Sequence, residues 1–147
     1  MGNPLIDQGI LNRLRGSVVW QDFPELNITA PYLGEGGINL RLAGPATTRI
    51  GTMTGSVLSG EPYIPIVLTV NLLKTQPLAD AYKAQMELNT AMGGGTVRPD
   101  AATLSPYTLF NCSIDTVGDL TFNGRDAGYG VELGGYYLIN SSLFDSR

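Results

Sequence analysis

Histidine is absent from this chain of 147 residues, cysteine occurs once and lysine twice. Without histidine there is no Ser-His-Asp or Cys-His catalysis, no common zinc site and no default switch near neutral pH. The single cysteine, Cys112, cannot form an internal disulfide. It shares one side of an expected strand with Phe110 and Ile114, which makes it a buried, inert thiol. Lysine and arginine together number 9 against 13 acids, for a net charge of −4. The closest approach to a basic cluster is Arg13 with Arg15, too little for a surface that grips nucleic acid. No run approaches the roughly 18 apolar residues of a membrane span, so no membrane insertion is expected. Met1-Gly2-Asn3-Pro4-Leu5 has neither the basic and apolar stretches of a secretory signal nor the serine or threonine of a myristoylation start. Synthesis in a reducing cytoplasm is the simplest expectation.

Charge is scarce altogether. Charged residues make up 15% of the chain, where about 25% is usual, while hydrophobic residues make up 43%. Such a surface suits one that faces another protein, since charge is depleted at interface cores. The competing account is a Gly- and Thr-rich β-domain solubilised by neutral polar groups.

The most informative stretch is 61–95. Ile64, Ile66, Leu68, Val70 and Leu72 recur at every second position, the period of a strand with one face in a core. Thr75-Gln76-Pro77 then offers a cap and a first-turn proline. Leu78, Ala79, Tyr82 and Met86 follow at helical spacing, and Gly93-Gly94-Gly95 reads as the stop, which predicts a helix from Pro77 to Met92. Further strands are expected at Ser17–Trp20, at Leu26–Thr29, around Ile38, Leu40 and Leu42, at Leu109–Ile114 and within Gly128–Asn140. Gly34-Glu35-Gly36-Gly37 reads as a flexible turn and 96–106 as a loop. The whole, 1–147, reads as one mainly β domain, a sandwich or partial barrel with one flanking helix. It has an N-terminal arm over 1–16 and a C-terminal tail over 141–147. The Thr- and Gly-rich segment 44–62 is either two poorly buried strands or a long hairpin loop, and loops this long are usually functional or interfacial.

The constellations that could carry chemistry reduce to simpler roles. Neither glycine cluster has the spacing of a dinucleotide or phosphate loop. Asp115, Asp119, Asn123 and Asp126 lack the EF-hand pattern, and turn chemistry accounts for Asn123-Gly124 and Asp126. Glu61, Glu132, Asp115 and Asp119 could pair for glycoside hydrolysis, but nothing in the sequence brings two of them together. The three glycosylation sequons, at Asn27, Asn111 and Asn140, have no meaning without secretion. Tyr129, Tyr136 and Tyr137 could stack bases, although packing suits them better with so little positive charge nearby. No catalytic, cofactor-binding or metal residues are assigned, and no cofactor or enzymatic activity is expected.

Taken together, the chain resembles the tail tube proteins of contractile-tailed bacteriophages over nearly its whole length. The resemblance rests on the opening Asn3-Pro4-Leu5-Ile6-Asp7-Gln8-Gly9 and on the Thr- and Gly-rich 44–62. It continues in Val70-Asn71-Leu72-Leu73-Lys74-Thr75-Gln76-Pro77-Leu78-Ala79 and Gly135-Tyr136-Tyr137-Leu138-Ile139-Asn140. It implies hexameric rings that close a continuous β-barrel and stack into a tube, with the long hairpin and the terminal arms joining ring to ring. The implied partners are further copies of the chain, a tail sheath protein, and baseplate and tail-terminator proteins. DNA would pass through the lumen without specific binding, and the chain would reside in the virion tail. Leu5, Ile6, Ile50, Met53, Val57 and Leu58 are the expected interface residues. Glu132, alternating with Val131 and Leu133, is the expected lumen acid, where it would repel phosphates. The rival expectations are another ring-forming tail or baseplate component and a monomeric β-barrel binding module.

Overall fold

The computed structural model describes residues 9–118 and 120–144. The fold is mainly β, a sheet curled into a half-barrel with one substantial helix packed on it. In chain order the strands are β1 (Ser17–Trp20), β2 (Leu33–Leu42), β3 (Thr47–Gly51), β4 (Ser56–Gly60), β5 (Tyr63–Leu73), β6 (Ala91–Arg98), β7 (Tyr107–Val117) and β8 (Gly128–Leu138). Helix α1 (Pro77–Leu88) joins β5 to β6, and a single turn, α2 (Ser141–Phe144), follows β8. Six strands form one antiparallel sheet in the order β1-β6-β7-β8-β5-β2, while β3 and β4 pair only with each other.

The alternation in β5 buries Ile64, Ile66, Leu68, Val70 and Leu72 on one face, as the sequence period requires. The last four share a core with Tyr129, Val131 and Leu133 of β8, which pairs with β5 over its full length. Helix α1 lays Leu78, Ala79 and Tyr82 onto this core, with Met86 half-buried beside them. The Tyr82 hydroxyl receives a hydrogen bond from Trp20 Nε1 at 2.8 Å and donates one to the Leu26 carbonyl at 2.7 Å. One phenol thus ties α1, β1 and the 3-10 turn Pro24–Leu26 together without leaving a buried polar group unmatched.

The structure corrects the sequence expectations in several places. Helix α1 ends at Leu88, not Met92. Asn89 is extended, and its side-chain carbonyl accepts from the Ala91 N–H at 3.1 Å, turning the chain out of the helix. Its start carries no side-chain cap; Gln76 occupies that position without a capping hydrogen bond. Gly93–Gly95 is not a helix stop but the interior of β6, where two register shifts fall. Gly93 has φ +74°, and a Cβ at Gly95 would lie 2.6 Å from the Trp20 ring. The glycines therefore let β6 bend and pass under an indole.

Likewise, Gly34–Gly37 lies inside β2, which absorbs a bulge between Leu33 and Ile38 instead of turning there. Residues 26–29 form no strand; only Ile28 makes an isolated bridge to Val18. Strand β6 runs to Arg98, which shortens the expected 96–106 loop. In β7, Asn111 has φ +54° at a register shift. That bulge reverses the alternation, so Leu109, Cys112 and Ile114 are buried while Phe110 turns outward. Cys112 is buried as expected, and its burial pushes the thiol up to about 11, which keeps it protonated and unreactive at neutral pH.

Candidate functional site

Among the described residues no group of three or more Cys, Asp or Glu side chains could hold a metal ion, and the features that stand out are surfaces. The first is the β3–β4 hairpin. The segment 44–62 is a strand pair, the first of its two sequence alternatives, and a Thr52 N–H to Gly55 carbonyl bond of 2.8 Å closes its tip. Every residue of β3 is exposed, and β4 is exposed except for Gly60 at its end. Ile50 pairs with Val57 and Arg49 with Leu58, so apolar side chains occupy both faces of the ribbon. At its tip Met53 is fully exposed. A two-stranded ribbon is at best marginally stable by itself in water. What holds this one is its root. Thr48 Oγ1 donates to a Glu61 carboxylate oxygen at 2.7 Å, and Asn140 Nδ2 donates to the carbonyls of Glu61 and Ala46. Four of the expected interface residues, Ile50, Met53, Val57 and Leu58, therefore sit together on one projecting element. Leu5 and Ile6, the other two, lie outside the described residues.

The second surface is the mouth of the half-barrel. The sheet ends at β1 on one side and β2 on the other, and the two end strands do not pair with each other. Residues 27 and 28 cover the β1 edge, Ile28 through paired backbone bonds with Val18 and Asn27 through its side-chain oxygen, which accepts from the Trp20 N–H, whereas β2 has no strand on its outer side. Between β2 and the adjoining ends of β6 and β7 lies an open cleft of about 1170 Å³. Leu33, Ile38, Leu40, Val97 and Tyr107 form its apolar floor, with Arg13, Arg98 and Asp100 among the residues lining it. Exposed strand edges are sites where β-proteins acquire neighbours.

The third surface is the sheet face turned away from the core. Phe110, Tyr136 and Tyr63 cross β7, β8 and β5 as a connected row. Ring centroids lie 5.9 Å apart for Phe110 and Tyr136 and 5.4 Å apart for Tyr136 and Tyr63. Glu132 lies on this same face, opposite Val131 and Leu133, and accepts a hydrogen bond from Thr116 Oγ1 at 3.2 Å. The three tyrosines considered as a stacking surface do not form one. Tyr129 is buried, and Tyr137 packs at the core margin against Tyr107, 5.5 Å between centroids. Only Tyr136 faces outward with the row. Two-residue alternation along β8 is enough to separate Tyr136 from Tyr137; the row itself depends on cross-strand register and on the Asn111 bulge, which carry no signal in a single sequence.

Among the described residues, no helix is long and apolar enough to cross a membrane. In comparisons with known proteins, the chain matches no protein-family model and no curated protein.

Limited trypsin digestion tests whether the hairpin is a covered or a free element. Arg49 is exposed in the middle of β3, and ordering a backbone costs about 1–2 kcal/mol per residue unless burial offsets it. Fast cleavage after Arg49 is expected in dispersed subunits, with protection in any assembled form. Equal protection in both states would show that the hairpin makes no assembly contact.

Proposed function

We propose that this chain is a structural virion protein that polymerises as stacked hexameric rings into the tail tube of a contractile phage tail, the conduit for genome delivery. The observation that carries this reading is the pairing of a projecting apolar hairpin with a curled sheet whose end strand β2 has no strand on its outer side. A half-barrel with an open end strand can take a strand from a neighbouring copy there, and closure around a ring removes that edge. The hairpin is anchored to the body at its root and offers Ile50, Val57, Leu58 and Met53 to a neighbour. Contacts between two different patches of the same chain close into rings or run on as filaments. The number six and the sheath, baseplate and terminator partners come from the family resemblance. Glu132, on the face opposite the core, is the lumen candidate, where a carboxylate would keep phosphates off the wall. No step of this function requires a catalytic group or a cofactor.

Another tail or baseplate ring component would use the same surfaces but stop at one ring. The cleft favours a further alternative, a monomeric β-barrel binding module, because apolar residues line a concavity of ligand-binding size. Negative-stain microscopy with light scattering on the purified protein separates the three. Hollow tubes of indefinite length are expected. Single rings would assign the chain to the ring components, and a monomer at high concentration would overturn the assembly reading.

A further inference from the structure

The loop between β7 and β8 carries the chain's one Asn-Gly pair, Asn123-Gly124, in a turn exposed on every side. Asparagine followed by glycine is the most exposed arrangement for attack of a backbone nitrogen on a side-chain amide, because glycine has no Cβ to shield that nitrogen. At Gly124 the shielding is absent in every sense: its φ is +77° and no heavy atom lies within 4 Å of where a Cβ would stand. The neighbouring geometry adds a second element. The Asn123 side-chain oxygen accepts hydrogen bonds from the Arg125 N–H at 2.9 Å and the Asp126 N–H at 3.1 Å. Two backbone donors thus point at the one oxygen on which negative charge would develop, the arrangement that stabilises tetrahedral intermediates in acyl transfer.

We infer that Asn123 is a self-modification site at which the native turn converts asparagine to aspartate and isoaspartate. The Gly124 backbone nitrogen, giving up its proton to solvent base, attacks Cγ of Asn123 and forms a five-membered ring. The tetrahedral oxyanion is held by the N–H groups of residues 125 and 126. Its collapse breaks the Cγ–Nδ2 bond, and ammonia leaves with a proton taken from water. Water then opens the succinimide at either carbonyl. Opening at one gives aspartate; opening at the other gives isoaspartate, with the backbone rerouted through the side-chain carbon. No redox partner is involved.

The consequence reaches beyond the turn. Lys74 donates through Nζ to the Thr121 carbonyl and lies 5.5 Å from the centre of the exposed Phe122 ring. The Lys74 N–H also bonds the Ala127 carbonyl at 3.0 Å. The loop is thus clasped on both sides of Asn123 by the residue that follows β5. Either product adds one negative charge within the clasp, and isoaspartate lengthens the backbone of a turn whose hydrogen bonds depend on its spacing.

Peptide mapping by mass spectrometry of the full native chain, held in mildly alkaline buffer, tests the inference. The expected result is that Asn123 gains the mass of amide-to-acid exchange several-fold faster than any other asparagine of the folded chain, with isoaspartate among the products. Gly124→Ala should slow conversion roughly tenfold, a modest effect beside the loss of about 10²–10³ that follows removal of one oxyanion donor in an enzyme. A urea-unfolded control fixes the role of the turn. Conversion of Asn123 in urea while it stays intact in the native chain would mean that the fold protects it, and would overturn the inference. So would conversion at the rate of the other asparagines, or a Gly124→Ala chain that reacts as fast as the original.

Discussion

Replacing Tyr82 with alanine is expected to cost about 3–5 kcal/mol of folding stability, the range for truncating a fully buried aromatic ring. The ring is 1% exposed and sits where α1, β1 and the 24–26 turn converge. Tyr82→Phe separates packing from polarity. It keeps the ring but leaves the Trp20 indole N–H and the Leu26 carbonyl without their partner, a loss of about 1–3 kcal/mol. Equilibrium urea unfolding followed by fluorescence reads both, since Trp20 is the chain's one tryptophan and lies in contact with the mutated group. A cost below about 1 kcal/mol for the alanine variant would be inconsistent with a buried ring. The same phenol sets an alkaline limit. Burial raises its pKa well above the ordinary value of 10, against a smaller lowering by the hydrogen bond with Trp20. Because the folded value is the raised one, its contribution is fully present below about pH 10. It is lost as pH climbs from there toward the folded value, as the unfolded chain releases the proton first. Tyr82→Phe should lack this alkaline component.

The second large effect is expected on assembly instead of folding. Ile50→Asp combined with Val57→Asp places two carboxylates opposite each other on one face of the hairpin. Both positions are more than half exposed in the subunit, so the stability of the domain outside the hairpin should change by no more than about 0.5 kcal/mol, as for ordinary surface substitutions. If the hairpin is the contact between copies, burial of two unpaired charges in that contact should abolish tube formation. The paired measurements are thermal melting of the subunit and negative-stain microscopy under assembly conditions. Tubes of normal length and number from the double variant would remove the hairpin from the proposed function. A large fall in melting temperature would show instead that the hairpin is integral to the domain.

What could be read from sequence was whatever local periodicity encodes. Strand β5 and the start of α1 are legible because Ile64 to Leu72 and Leu78 to Tyr82 repeat with two different periods on either side of Pro77. The failures share a cause. Gly93–Gly95 looks like punctuation, yet it is strand, because Trp20, more than 70 residues earlier, needs the space a side chain would fill. Gly34–Gly37 is strand because β5 supplies a ladder on which a bulge can form. The outward turn of Phe110 depends on the left-handed conformation of Asn111. Each is set by a partner distant in the chain, and tertiary context overrides local propensity. The surfaces divide in the same way. The hairpin residues Ile50, Met53, Val57 and Leu58 could be found as apolar residues in a segment short of core anchors. The cleft between β2 and the ends of β6 and β7 could not, because it exists only once the strands have been ordered.

That strand order also determines when the molecule can fold. Strand β8 lies near the middle of the sheet, between β7 and β5, yet it is the last strand in the chain. During synthesis β5 emerges with only β2 beside it and waits more than 50 residues for β8 to complete its other side. At about 5–20 residues per second, that is an interval of several seconds. Through it the apolar face of β5 and its open backbone edge are available to any other nascent chain. Closing so many long-range pairings at once places folding in the slow, millisecond-to-second class of all-β domains. Crowded synthesis of many copies therefore selects for whatever shields β5 in the meantime, and α1, which follows it directly and packs on its core side, is the first element able to do so.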